Sequence, residues 1–303
     1  MDNPFVEIRE KEDNDIELIC NALKGNGNGL TRLVLRHQAW IYNIAYKMVS
    51  DPNDAEDITQ EILIKMITKL STYDPGKSSF RTWLYRIVAN HVINMKKKKY
   101  EKVIFNSHHI TDYCLAAGKI PDDSPYSHPE NGVLVEEAKT GCLTGMLLCL
   151  DRRQRLVFIL GEIFDVSASI GGEILEISES SFRQILSRSR KKIYAFLNEN
   201  CGLVNKDNPC RCYKQIEPQI QIGWLSPDKI ASQSHRDNRR KISEAIRDKV
   251  SNFEEQYYSK YVQLFRDQPF HEPPDLTRWI STTLKDDNFK DLFLLGGVNS
   301  PVH

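Results

Sequence analysis

Three cysteines crowd a short stretch of this 303-residue sequence, Cys201, Cys210 and Cys212, in the order Cys-x8-Cys-x-Cys. Thiolates so placed would furnish three zinc ligands, with His235 or another group as the fourth; a redox-sensing thiol cluster and plain free cysteines are the other readings. Far upstream, Asp57, Gln60 and Glu61 fall at steps of three and four. On a helix they share a face and offer acceptors to arginine. Asn90, His91, Asn94 and Lys96 gather polar and cationic groups at the end of an apolar-patterned segment. Amides that read base edges and a cationic groove that follows phosphates suit single-stranded nucleic acid. The glycine-rich stretch from Lys24 to Gly29 lacks the Gly-Lys-Ser/Thr ending of a phosphate loop and reads as a turn. No nucleophile motif, phosphate loop or acid–base pair argues for an enzyme, so binding and positioning is the chemistry expected.

The elements that must hold these groups read as helices. Residues 31–49 place Leu33, His37, Ile41, Ile44, Ala45 and Met48 at helical steps. Asp51-Pro52 then opens a second helix with an N-cap, proline at the first position and acids in the first turn, where the helix dipole favours them. Ile58, Ile62, Met66 and Leu70 form its buried stripe. Tyr73 to Ser79 is a loop, and Phe80 to Met95 a third helix whose Trp83 reads first as core and second as a stacking platform. From about Thr111 to Glu137 the composition turns to Pro, Asp and Ser, a linker signature. Residues 143–200 return to helical periodicity. Within them Val166 to Ile193 reads as a helix, a short turn at Glu176 to Glu179, and a second, basic helix, hence a helix-turn-helix. A long amphipathic helix over 239–266 and another over 276–295 follow.

Composition bounds the class. Hydrophobic residues make 40% and charged residues 27% of the chain, a globular mixture long enough for two or three domains. Lys plus Arg and Asp plus Glu are each 41, so total charge says nothing of partners. Distribution does: Arg81 to Lys102 holds seven basic residues against the single acid Glu101, while Asp51 to Glu61 holds five acids and no base. Segregation of that kind suggests one protein partner and one polyanionic partner. Seven cysteines, an odd number, without a charged-then-apolar leader lead us to expect a reducing cytoplasm, and no apolar run reaches membrane-spanning length.

The segments Asp54-Ala55-Glu56-Asp57-Ile58-Thr59-Gln60-Glu61 and Phe80-Arg81-Thr82-Trp83-Leu84-Tyr85-Arg86-Ile87-Val88-Ala89-Asn90 resemble the acidic helix and the promoter-melting helix of the sigma-70 family. Leu150 to Phe158 resembles the first helix of that family's minus-thirty-five-binding domain, and Ser178 to Arg190 its recognition helix. With no counterpart of the intermediate domain of larger sigma factors, the chain is identified as a member of the extracytoplasmic-function type. The resemblance implies an all-α protein of two helical domains joined by a flexible linker. It comprises a region-2-like domain (1–105), an acidic linker (106–142), a region-4-like helix-turn-helix domain (143–200) and a cysteine-bearing helical extension (201–303).

It also implies function. Asp57, Gln60 and Glu61 would dock on RNA polymerase core. Asn90, His91, Asn94 and Lys96, with the Tyr73 to Ser79 loop, would hold the unwound strand of the minus-ten element in promoter DNA. Ser181, Arg183 and Gln184 would approach the major groove, and Arg188 and Lys191 would meet phosphates. No cofactor is required beyond the zinc suggested by the cysteines, and an anti-sigma factor is a further expected partner. Two features depart from the family: Gly171 and Gly172 lie inside the first helix of the motif, and Glu176 takes the place of its turn glycine, which implies a marginal domain. The rival readings are a polymerase-independent helix-turn-helix regulator and a sigma-like module turned to metal sensing or protein interaction.

Overall fold

A computed structural model describes residues 10–24, 27–104, 118–121, 123–227 and 261–274, with isolated positions 112, 116, 276 and 282. The described residues are helical, with an isolated bridge between Cys201 and Cys210 in place of any strand. Helices α1 (Glu10–Leu23), α2 (Gly27–Val49), α3 (Pro52–Lys69) and α4 (Phe80–Asn94) form the first unit. α2 begins inside the Lys24–Gly29 segment read as a turn. It is buried nearly all round, because α1, α3 and α4 all pack on it. Asp15 on α1 is fully buried and reaches Arg36 (2.6 Å), His37 (3.5 Å) and Arg81 (3.5 Å), so one carboxylate fastens α1 to both α2 and α4.

The caps follow from sequence. Asp51 Oδ1 accepts from the backbone N–H groups of Asn53 and Asp54, each at 2.9 Å, with Pro52 directly after it. Ser79 Oγ accepts from Thr82 N at 3.1 Å and so starts α4.

A short α5 (Lys99–Ile104) leads towards α6 (Gly132–Met146). α6 corrects the expected linker, which was drawn as far as residue 142: the acids Glu136 and Glu137 belong to a helix whose Ala138, Leu143 and Met146 are buried. Charge on the open face of an amphipathic helix imitates linker composition. The second unit comprises α7 (Arg152–Phe158), which runs into a π-helical turn at Ile159–Ile163, then α8 (Ala168–Leu175), α9 (Glu179–Asn200) and α10 (Ile216–Gln221). One continuous apolar core includes residues of α1–α4 and of α7–α9.

The polar seam inside this core centres on Glu101, which is 2% exposed. Its carboxylate accepts two bonds from Arg152 (2.9 and 2.8 Å), one from Arg155 (3.0 Å) and one from Lys98 N (3.1 Å). Arg152 also donates to the carbonyls of Ile93 (3.1 Å), Met95 and Lys96 (3.0 Å), closing the C-terminal end of α4. Arg155, 1% exposed, donates to the carbonyls of Met48, Leu147 and Leu150. Burial pushes the Glu101 pKa up, but the hydrogen bonds from Arg152 and Lys98 and the charge of Arg155 prevail and hold it below its ordinary value. Its ionised form therefore contributes stability in full above the unfolded carboxylate range, and that contribution is lost as pH falls through the folded value. Glu101→Gln should lower unfolding stability by about 3–5 kcal/mol at neutral pH, because the buried guanidinium of Arg155 and the half-buried one of Arg152 lose their counter-charge. Denaturant titration at several pH values should also show this acid-side limb of the profile weakened in the variant.

Candidate nucleic-acid interface

On α3, Asp57 and Glu61 are exposed and Gln60 is half-buried, its amide donating to Glu56 Oε1 at 3.4 Å. The structure thus places the three on an open, acidic stretch of the helix. An ion pair between Asp54 and Lys98 (3.2 Å) and a polar contact between Glu61 and His91 (3.4 Å) tie this helix to the residues after it. Lys65 Nζ lies 2.5 Å from His91 Nδ1 and donates to it, which leaves the ring proton on Nε2, towards Glu61. Burial, then the Lys65 charge, depresses the His91 pKa, so the ring is neutral at pH 7.

His91 is therefore buried against α3, apart from its sequence neighbours. Asn90 and Asn94 are exposed on successive turns at the end of α4, and Asn94 Nδ2 donates to Asn90 O at 2.8 Å. Lys96 is exposed just beyond. Trp83 is half-buried, stacked on Phe80 at 5.5 Å and tilted against Tyr73 at 5.7 Å. It closes an aromatic cluster at the mouth of the Tyr73–Ser79 loop. The loop is set by Asp74 Oδ1, which accepts from Gly76 N at 2.9 Å.

The second unit positions its polar groups through a tight turn. Ser167 and Ser178 cap α8 and α9, each accepting a backbone N–H three residues on. Between them Glu176 takes φ 53° and ψ 45°, the left-handed conformation that its non-glycine side chain was expected to resist. The glycines explain the rest of the departure. A Cβ on Gly171 would stand 2.3 Å from the Phe182 ring, and one on Gly172 would stand 2.9 Å from Ile177 O. The recognition-like helix seats Phe182 directly on α8, and no side chain fits between them. Glu162, wholly buried at the π turn, accepts from Arg190 and from Tyr194 OH and fixes the other end of α9. What remains outward is Arg183, Gln184, Arg188 and Lys191, with Ser181 half-buried at the turn. Gln184, Arg188 and Lys191 follow at helical steps and make a cationic ridge.

Cys201, Cys210 and Cys212 do come together, and α6 brings Cys142 to them: all four line one apolar cavity. They are free thiols. Burial, then the neighbouring Cys142, pushes Cys201 up to about 11 and Cys212 upward as well. Among the described residues, no three His, Cys, Asp or Glu side chains are placed so as to hold a metal ion. His235 and most of the 239–266 stripe lie outside the described residues. Cys142 went unnoticed in the sequence because it stands far from the other three and inside the supposed linker. Arg152, Arg155 and Glu101 were likewise missed as a unit, although two of them sit in the quoted Leu150–Phe158 motif.

The Sigma-70 region 2 family matches residues 33–101, the stretch that carries α3, α4 and most of α2. The RNA polymerase sigma factor CnrH of Cupriavidus metallidurans is 26% identical over 188 residues, covering 62% of this chain and 96% of CnrH. The chain carries a Sigma-70 region 2 segment and is similar to extracytoplasmic-function sigma factors. SigW of Bacillus subtilis, an ECF sigma factor, is 27% identical over 182 residues, covering 58% of this chain and 92% of SigW. A solved structure of CnrH in complex with the cytosolic domain of CnrY aligns with 62% of this chain and 99% of CnrH, at 21% identity and a TM-score of 0.44. These sigma-factor relatives leave more than a third of the chain unmatched. For this factor the outward ridge of α9 yields a direct test on duplex DNA. Arg188→Ala with Lys191→Ala should flatten the slope of log affinity against log salt by about 2, since each lost phosphate contact removes about 0.9. A slope unchanged from wild type would mean that the ridge does not face the backbone.

Proposed function

We propose that this chain is a transcription-initiation sigma factor that binds RNA polymerase core and directs promoter recognition and melting. One observation carries the reading: the region matched by the family holds, side by side, an exposed acidic face on α3 and an exposed pair of amides at the end of α4. Asp57, Gln60 and Glu61 are the polymerase-binding residues in this reading. Arginine on the partner would find acceptors there without burying an unpaired charge. Asn90, Asn94 and Lys96 hold the melted strand. His91 acts through Lys65 and Glu61, setting the angle between the acidic helix and the melting helix. Ser181, Arg183 and Gln184 meet base edges, and Arg188 and Lys191 meet phosphates. The role is one of positioning, since nucleotide addition belongs to the polymerase. None of the described helices is long and apolar enough to cross a membrane, and the reading places the protein in the cytoplasm, where polymerase and promoter meet.

Asp57→Lys with Glu61→Lys should reduce affinity for core polymerase at least a hundredfold while leaving the circular-dichroism spectrum nearly unchanged, because exposed acids contribute little to folding but face cations across an interface. The wild-type chain should yield promoter-specific transcripts with the same core. Undiminished core binding by the double variant removes the basis of the assignment.

The cysteines support a second, separate site in the same chain. Cys201, Cys210, Cys212 and Cys142 bring four thiols to one cavity, and zinc drawn among them would lock α6 to the turn that follows α9. Elemental analysis should then find one zinc per chain, lost together with several degrees of melting temperature when Cys201, Cys210 and Cys212 are replaced by Ser. Zinc-free protein whose stability survives that replacement makes the cysteines ordinary packing groups.

A further inference from the structure

Residues 261–274 and 276 lie far beyond the stretch that matches the Sigma-70 region 2 family, yet they sit in the groove between the two units. At one end the Tyr261 ring stacks on Tyr194 of α9 at 4.4 Å, and the fully buried Phe265 meets Phe158 of α7 edge-on at 5.1 Å. Arg266 donates to Glu162 O at 2.9 Å and pairs with Asp165 at 2.7 Å. Four residues on, the segment has crossed to α2. There Phe270 packs against Trp40 at 5.0 Å, and Lys47 Nζ donates to Gln268 Oε1 at 2.8 Å. Asn43 grips the backbone of His271 from both sides, accepting from its N–H at 2.9 Å and donating to its carbonyl at 2.7 Å. Leu276 is again in the core.

We propose that the groove between α2 and the α7–α9 pair is a docking surface for an aromatic, arginine-bearing peptide, and that the chain fills it with its own residues 261–274 and 276 as a clasp that holds the two DNA-handling units shut. The groove is built for such an occupant. Asn43 is fully buried and spends both ends of its amide on a peptide backbone. Lys47 is buried with a neutral acceptor opposite it, and burial pushes its pKa down to about 7. The segment supplies the backbone groups that Asn43 pairs with and the acceptor that Lys47 meets. Beneath the clasp the units also touch directly: α4 packs on α8, and Arg86 Nε donates to Glu173 O at 2.9 Å.

The consequence rests on the sigma reading above. The minus-ten and minus-thirty-five elements lie about 25 base pairs apart, roughly 85 Å of duplex at 3.4 Å per pair. Each unit is only about 35 Å across. Two units packed face to face cannot reach both elements, so the clasp must release before a promoter is engaged at both.

The test uses the full chain and two full-length variants, Arg266→Glu, which reverses a half-buried contact, and Phe265→Asp with Phe270→Asp. Small-angle scattering should show the radius of gyration of each rising by at least a fifth, and a synthetic peptide of residues 258–278 added in trans should return the Arg266→Glu protein to the wild-type value. With saturating core polymerase, single-round promoter-specific transcripts should rise at least fivefold in both variants. An unchanged radius in both variants overturns the clasp, and so does an opened variant whose transcript yield matches wild type. If wild type and variants all give no promoter-specific transcripts, the sigma reading fails, while the scattering still decides whether the segment holds the units together.

Discussion

The Glu101 carboxylate is the point on which this architecture turns. It lies just after the end of α4, and both of its arginines come from α7 at the start of the second unit, more than fifty residues later. Those arginines in turn satisfy carbonyls that α4 and the Leu147–Leu150 turn would otherwise leave open. A single buried acid thus neutralises a buried and a half-buried cation, holds Arg152 at the end of a helix and joins two units. Isolated charges at that depth would cost far more than they return, and only the completed network makes the seam tolerable. The lysine run after α4 is read differently in this light. Lys98 is drawn back to Asp54, and Arg152 occupies the helix end, so Lys96 is left to face outward.

The local signals were the legible ones. Asp51-Pro52 wrote its own cap, Ser79 stood where a helix had to begin after a loop, and the apolar stripes of α2 and α3 were periodic over several turns. The turn at Glu176 was legible too, as a misfit: the left-handed backbone forms there with glutamate in it. Gly171 and Gly172, costly by propensity, turn out to be a packing requirement set by Phe182 on the next helix. Nothing within α8 itself announces that partner. Propensity sees one helix at a time, and this cost is recovered between two.

Long-range features were illegible for the same reason. Glu101 counted as one acid in a basic stretch, because nothing in its neighbourhood names Arg152 or Arg155. His91 was grouped with Asn90 and Asn94 by proximity in sequence, yet one residue along a helix is a rotation of about 100°, enough to turn its ring inward to Lys65. α6 was hidden by its own solvent face, whose acids and small residues look like a tether until Leu143 and Met146 are found buried. Cys142 joined the other thiols only once that helix was in place.

The Asn43–His271 pairing spans 228 residues, and this gives it a place in time as well as in space. Chain synthesis at ordinary rates of 5–20 residues per second leaves roughly 8–30 s between the emergence of Ile104 and that of Tyr261. Through that interval the first helical unit is complete while the groove on α2 has nothing of its own to fill it. A nascent factor therefore passes through an unlatched stage that the finished chain no longer shows, and a polymerase meeting it on the ribosome encounters a different surface from the one presented by the stored protein.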